Sequence, residues 1–118
     1  MDERWRIKYY ITLNGHSPVE EFILKLNVKA QTKLSIVFGL LKEFGINLGM
    51  PHAKKVIGTP LWELRILGED SIRILYITQT GKTFLLLHAF QKKKQKIDKK
   101  EIKIALERLF DYKLRTQN

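Results

Sequence analysis

The chain has 118 residues, no cysteine, and a formal net charge of +10 from 22 lysines and arginines against 12 aspartates and glutamates. That length suits one domain, 1–118, rather than two. The missing thiols exclude a disulfide framework, a cysteine zinc site and a thiol nucleophile, and 44% hydrophobic content is too high for a disordered chain. His16, His52 and His88 are too scattered for metal-ligand spacing, so neither a metal nor a small-molecule cofactor is expected. No apolar run approaches the ~18 residues of a membrane span, and Met1-Asp2-Glu3-Arg4 carries no apolar signal region, so a cytoplasmic location without membrane contact is expected. A surplus of positive charge draws polyanions, although a lysine-rich surface would give the same total, so the distribution must decide.

Arg4 to Thr12 alternates Trp5, Ile7, Tyr9 and Ile11 against polar residues, which predicts a strand ended by Asn14-Gly15. Ser17-Pro18-Val19-Glu20 predicts a capping box with proline in the first helical turn, opening a short helix that presents Phe22, Ile23 and Leu26. Asn27 can cap a second helix. Its apolar positions Ala30, Leu34, Val37, Phe38, Leu41 and Phe44 recur at steps of three and four, and Gly45 stops it. Residues 46–60 hold two glycines and one interior proline before Pro60 and read as a loop carrying His52, Lys54 and Lys55.

Leu61–Leu67, Ser71–Gln79 and Thr83–Lys92 read as three strands joined by turns at Gly68-Glu69-Asp70 and Thr80-Gly81, an antiparallel meander. A basic run, Lys92-Lys93-Lys94-Gln95-Lys96, precedes Asp98. This aspartate opens a last helix with Glu101 at the capping-box position and a stripe of Ile102, Ala105, Leu106, Leu109 and Tyr112. The predicted fold is α+β: an antiparallel sheet in the order β-α-α-β-β-β-α, two N-terminal helices packed on one face, and a C-terminal helix.

The turn at 68–70 pairs Leu64 with Ile74 and sets Arg65 opposite Arg73. A two-residue turn at Thr80-Gly81 pairs Tyr76 with Leu85 and Ile74 with Leu87, and brings His88 beside Arg73. The expectation is an open row of Arg65, Arg73 and His88 across three strands, continued by Lys92 and Lys93, which is costly unless an anion or buried carboxylates offset the repulsion. Taken singly, either arginine is better explained by surface pairing with Glu63 and Glu69, and the lysine run by solvation, whereas the row with its lysines favours an anion site. Trp62 and Leu85–Leu87 read as core. His16 and His52 read as structural or solvated.

Leu61-Trp62-Glu63-Leu64-Arg65-Ile66, Ile72-Arg73-Ile74-Leu75-Tyr76, Leu87-His88-Ala89-Phe90-Gln91-Lys92-Lys93 and Glu101-Ile102 together resemble the HigB-like, phage-derived branch of the RelE/ParE toxin superfamily. The resemblance spans nearly the whole chain. It implies the toxin of a type II toxin-antitoxin system. Such a toxin is a ribosome-dependent messenger-RNA endoribonuclease that inhibits translation and is silenced by a helix-turn-helix antitoxin. It also implies cleavage without a metal through the substrate's 2′-hydroxyl, which needs a base, cations on the phosphate and an acid.

By position, Arg65 and Arg73 match the family's phosphate-clamping arginines, Lys54 and Lys55 the basic residues before the second meander strand, and Lys92 and Lys93 the basic end of the last strand. On this resemblance Arg65, Arg73, His88 and Lys55 are expected to be catalytic, with Lys55 or His88 moving protons. Lys54, Phe90, Lys92, Lys93, Lys94 and Lys96 are expected to bind RNA. Phe90 stands where several relatives have tyrosine, so it could stack on a base but carry no proton, and Asp98 replaces a common proline. The alternatives are a ParE-like gyrase inhibitor and a non-catalytic RNA-binding relative.

Overall fold

In the computed structural model, residues 4–68 and 71–117 are described. The elements are β1 (Arg6–Tyr9), α1 (Pro18–Leu24), α2 (Val28–Phe44), β2 (Ala53–Lys55), β3 (Trp62–Ile66), β4 (Ile72–Gln79), β5 (Thr83–Gln91) and α3 (Lys99–Thr116), with a 3-10 turn at Gly45–Asn47. The expected α+β class and element order hold, with two differences in the sheet. Ala53–Lys55, read from sequence as loop, adds an edge strand. The sheet is also mixed rather than antiparallel, in the order β1-β5-β4-β3-β2, because β1 lies parallel to β5. The long α1–α2 excursion between β1 and β2 lets β1 enter beside the last strand, a connection that a hairpin reading cannot supply.

Helix ends follow local chemistry. The Asn27 side chain accepts from the Ala30 amide at 2.8 Å and starts α2. Gly45 ends α2 at φ 57, and a Cβ there would collide with the Trp5 indole. Pro18 opens α1 as expected, but the Ser17 hydroxyl makes no cap hydrogen bond and is buried without a partner among the described residues. The predicted capping box is thus absent at Ser17.

Two apolar layers sandwich the sheet. One joins Val19, Ala30, Leu34, Val37 and Leu41 to Leu64, Ile74, Tyr76, Phe84 and Leu86. The other joins Leu61, Leu75, Leu85, Leu87 and Phe90 to Ala105 and Leu109 of α3. Leu85 and Leu87 therefore lie under α3, and Phe84 and Leu86 under α1 and α2, the reverse of the sequence expectation. Gln79 pairs with Thr83, so the β4–β5 connection has three residues, with Gly81 at φ 80 and Lys82 at φ 54. A connection one residue longer than Thr80-Gly81 slips the register by one and turns over the side chains of the first part of β5, from Thr83 to Leu87.

A bulge follows. Tyr76 pairs with Leu86 but Leu75 pairs with His88, which leaves Leu87 as an extra residue on β5. The β3–β4 pairing is as predicted, with Leu64 opposite Ile74 and Arg65 opposite Arg73. Of the turn assigned to Gly68-Glu69-Asp70, the last two residues lie outside the described residues. No helix among the described residues is long and apolar enough to cross a membrane.

Candidate nucleic-acid interface

Register places the polar residues in two rows on the α3 side of the sheet. Lys54 lies opposite Glu63, Glu63 opposite Leu75, and Leu75 opposite His88. The neighbouring row is Arg65, Arg73 and Phe90. The predicted row of Arg65, Arg73 and His88 does not form, because the longer β4–β5 turn and the bulge at Leu87 each shift the pairing by one residue, which moves Phe90 into the third position and sends His88 one row away.

The row is also not open. Arg73 is 5% exposed and Glu63 5%, and one oxygen of Glu63, Oε1, lies 3.3 Å from Nε of Arg65 and 3.3 Å from Nε of Arg73. Both Nε groups are buried and neither is aligned on Glu63 as a hydrogen bond, so the carboxylate compensates charge without saturating the donors. Burial lowers the Arg73 pKa; Glu63 acts against that and the Arg65 charge adds to it. Arg73 Nη1 donates to the Ile72 carbonyl at 3.0 Å. Arg65 is the more accessible of the two, with 21% of its side chain exposed, and its Nη1 lies 3.6 Å from the Met50 sulfur. Of the two carboxylates expected to pair with these arginines, Glu63 does so; Glu69 lies outside the described residues.

His88 is turned under α3. Its Nε2 lies 2.8 Å from Glu101 Oε1, its Nδ1 lies 3.2 Å from Arg108 Nη1, and its ring stacks on Phe90 with centroids 5.4 Å apart. A guanidinium can only donate, so Nδ1 must accept, and the proton of the neutral ring sits on Nε2, pointing at Glu101. Burial lowers the His88 pKa, the Glu101 hydrogen bond resists this, and the Arg108 charge reinforces it. Arg108 also donates to the Leu87 carbonyl at 2.9 Å, capturing the oxygen of the bulged residue. His88 thus ties the bulge to the last helix.

Lys54 and Lys55 separate as strand neighbours do. Lys54 shares a face with Glu63, whereas Lys55 pairs with Trp62 on the other face. The Lys55 ammonium donates to the carbonyls of Thr59 and Leu61, closing the loop before β3, and stands 6.0 Å from the Trp62 ring centroid. Phe90, expected to stack on a base, is 6% exposed and packs into the layer under α3, so it offers no free face to a base.

What remains accessible is a cleft of about 550 Å³ between β2, β3 and the segment before α3. Lys54, Lys55, Arg65, Lys92 and Lys96 line it with Glu63, five cations to one carboxylate, over an apolar floor that includes Ile97 and Ile102. A second cavity of about 440 Å³ beside the end of β5 shares Lys92 and Lys96 and adds Lys93, Lys94, Lys100 and Glu101. The two form one basic track along residues 92–96. Excess cation density over a polyanion-sized groove binds phosphate backbones by releasing their counterions. Among the described residues no three His, Asp or Glu side chains cluster as a metal site would require.

Sequence reading set Arg65 opposite Arg73, as the sheet has them, and read Lys54 as loop, whereas it lies on β2 and lines the cleft with Arg65, Lys92 and Lys96. It treated Glu63 as an ordinary surface pair and Glu101 as a cap, and passed over Arg108. The signal for Arg108 was its spacing: seven residues after Glu101, two turns along the same helical face.

The sequence profile of the family described as "Phage derived protein Gp49-like (DUF891)" matches residues 21–110, from α1 through most of α3 and so across the whole cleft. No curated protein matches the chain.

Proposed function

The chain belongs to the Gp49-like family of phage-derived proteins, part of the RelE/HigB-type toxins, and from that premise we propose that it is a messenger-RNA endoribonuclease acting on translated messages. A toxin family implies an antitoxin partner, here taken to be a helix-turn-helix protein that silences the enzyme. The reading rests chiefly on the cleft lined by Lys54, Arg65, Lys92 and Lys96.

A single strand laid along residues 92–96 places one phosphate against Arg65, whose guanidinium offers paired donors to two phosphate oxygens. Attack by the neighbouring 2′-hydroxyl on phosphorus, with its proton released to solvent, forms the O2′–P bond of a cyclic phosphate and breaks the P–O5′ bond. Negative charge builds on the phosphate oxygens in that step, where Arg65 and the lysines stabilise it. A lysine ammonium at the rim can protonate the departing 5′-oxygen. Lys55, tied to the loop carbonyls, shapes the wall rather than moving protons, and His88 supports the sheet from beneath α3.

The engagement of both His88 ring nitrogens, by Glu101 and Arg108, favours a second reading: a non-catalytic relative that binds RNA without cutting it. Product chemistry separates the two. In a reconstituted translation reaction, the ribonuclease reading expects fragments with 5′-hydroxyl and cyclic or open 3′-phosphate ends, and a message carrying 2′-O-methyl at the cleaved position should stay intact. Uncut messages with the chain bound support the second reading.

A further inference from the structure

The two arginines are paired across the sheet, but their surroundings differ. Arg65 lines the cleft with a fifth of its side chain exposed, whereas Arg73 does not line it and has 7% of its side chain exposed. Both approach the same oxygen of Glu63 through Nε. A buried carboxylate between two guanidiniums cannot neutralise both, and the charge left over belongs to whichever is more exposed.

We propose that Arg73 is a positioning residue rather than a phosphate ligand: it holds the Glu63 carboxylate in the sheet so that Arg65 keeps a free charge for the RNA phosphate. Without Arg73, Glu63 has Arg65 as its remaining guanidinium partner and draws it into a closed ion pair, which withdraws it from the cleft. Glu63 then competes directly with the substrate phosphate. The inference rests on the cleft being the RNA site, and it assigns unequal roles to two residues that sequence position alone would treat alike.

Suppression is the test. The probe is a fluorescent oligoribonucleotide, 2′-O-methylated so that it cannot be cut, and the readouts are its affinity and the slope of log affinity against log salt. Circular dichroism checks that each variant is folded. Arg65→Ala should weaken binding about tenfold and reduce the slope by about one. Arg73→Met should do the same although Arg65 is still present. Adding Glu63→Gln to Arg73→Met should restore both affinity and slope, because the freed Arg65 no longer has a carboxylate to close on. Glu63→Gln alone should bind at least as tightly as the parent chain.

An Arg73→Met/Glu63→Gln double variant as defective as Arg73→Met, with Arg65→Ala weakened as expected, would mean that Arg73 meets the phosphate itself and would overturn the inference alone. If Arg65→Ala binds like the parent, the cleft reading fails and the inference with it. Should Arg73→Met not fold, the comparison is carried by Arg73→Lys: its shorter ammonium should again weaken binding, with Glu63→Gln restoring it, and failure of that restoration overturns the inference.

Discussion

Arg108 donates to Nδ1 of His88 at 3.2 Å, and this contact dictates which ring nitrogen of a buried histidine carries its proton. The other nitrogen is then committed to Glu101 at 2.8 Å, so neither is free to serve a substrate. A residue whose intrinsic pKa suits proton transfer is used here as a strut between β5 and α3.

A pH dependence follows. Burial and the Arg108 charge depress the His88 pKa from its ordinary 6.5, so the unfolded chain binds the proton more readily than the folded one. The stability contributed is therefore complete above 6.5 and is lost as pH falls through the folded value below it. Thermal unfolding should show the parent losing stability as pH falls below 6.5 more steeply than His88→Gln. Equal slopes for the two chains would remove His88 from the pH response. Arg108→Met should cost about 1–3 kcal/mol, since it strips a donor from both His88 and the Leu87 carbonyl.

The basic track makes an additive prediction. Lys92→Ala and Lys96→Ala should each lower RNA affinity and reduce the salt slope by about one. Lys103→Ala is the control, because Lys103 lines neither cavity of the track, has 78% of its side chain exposed and stands 4.0 Å from Glu107. Oligonucleotide binding titrated over salt checks this, and an equal loss from Lys103→Ala would mean diffuse charge rather than a defined track.

Gly45→Ala tests the junction between α2 and the first strand. The backbone stands at φ 57, and the new methyl group would meet the Trp5 ring that stacks on Phe84. The left-handed conformation alone costs about 1–2 kcal/mol for a residue with a Cβ, and displacing the indole adds to it. Chemical denaturation should show a loss above that range, and a neutral outcome would contradict the packing.

Much of the fold was legible because its signals are local. Asn27, Gly45 and Asp98 mark helix ends by the chemistry of a cap or a left-handed turn, and the α2 stripe declares its buried side by period. The Arg65–Arg73 pairing followed from alternation on both sides of one turn. Within the meander, the failures of legibility are one-residue effects. Lys82 joins the β4–β5 turn and Leu87 bulges out of β5, and neither event has a composition signature, yet together they decide which leucines lie under α3 and that Phe90, not His88, meets Arg73. The parallel β1–β5 contact joins segments more than 70 residues apart, beyond the reach of any hairpin rule. Glu101 looked like a cap because Asp98 precedes it by three, but its carboxylate reaches across to the sheet instead.

Cleavage of messages is the central claim, and mapping 5′ ends in cells tests it most directly. The chain and its Arg65→Ala variant are expressed separately in bacteria, and transcript ends are sequenced early in growth arrest. New 5′-hydroxyl ends within translated regions should accumulate with the parent chain and be strongly reduced with the variant. Growth arrest by the parent chain with intact messages, above all with gyrase blocked, would contradict the account.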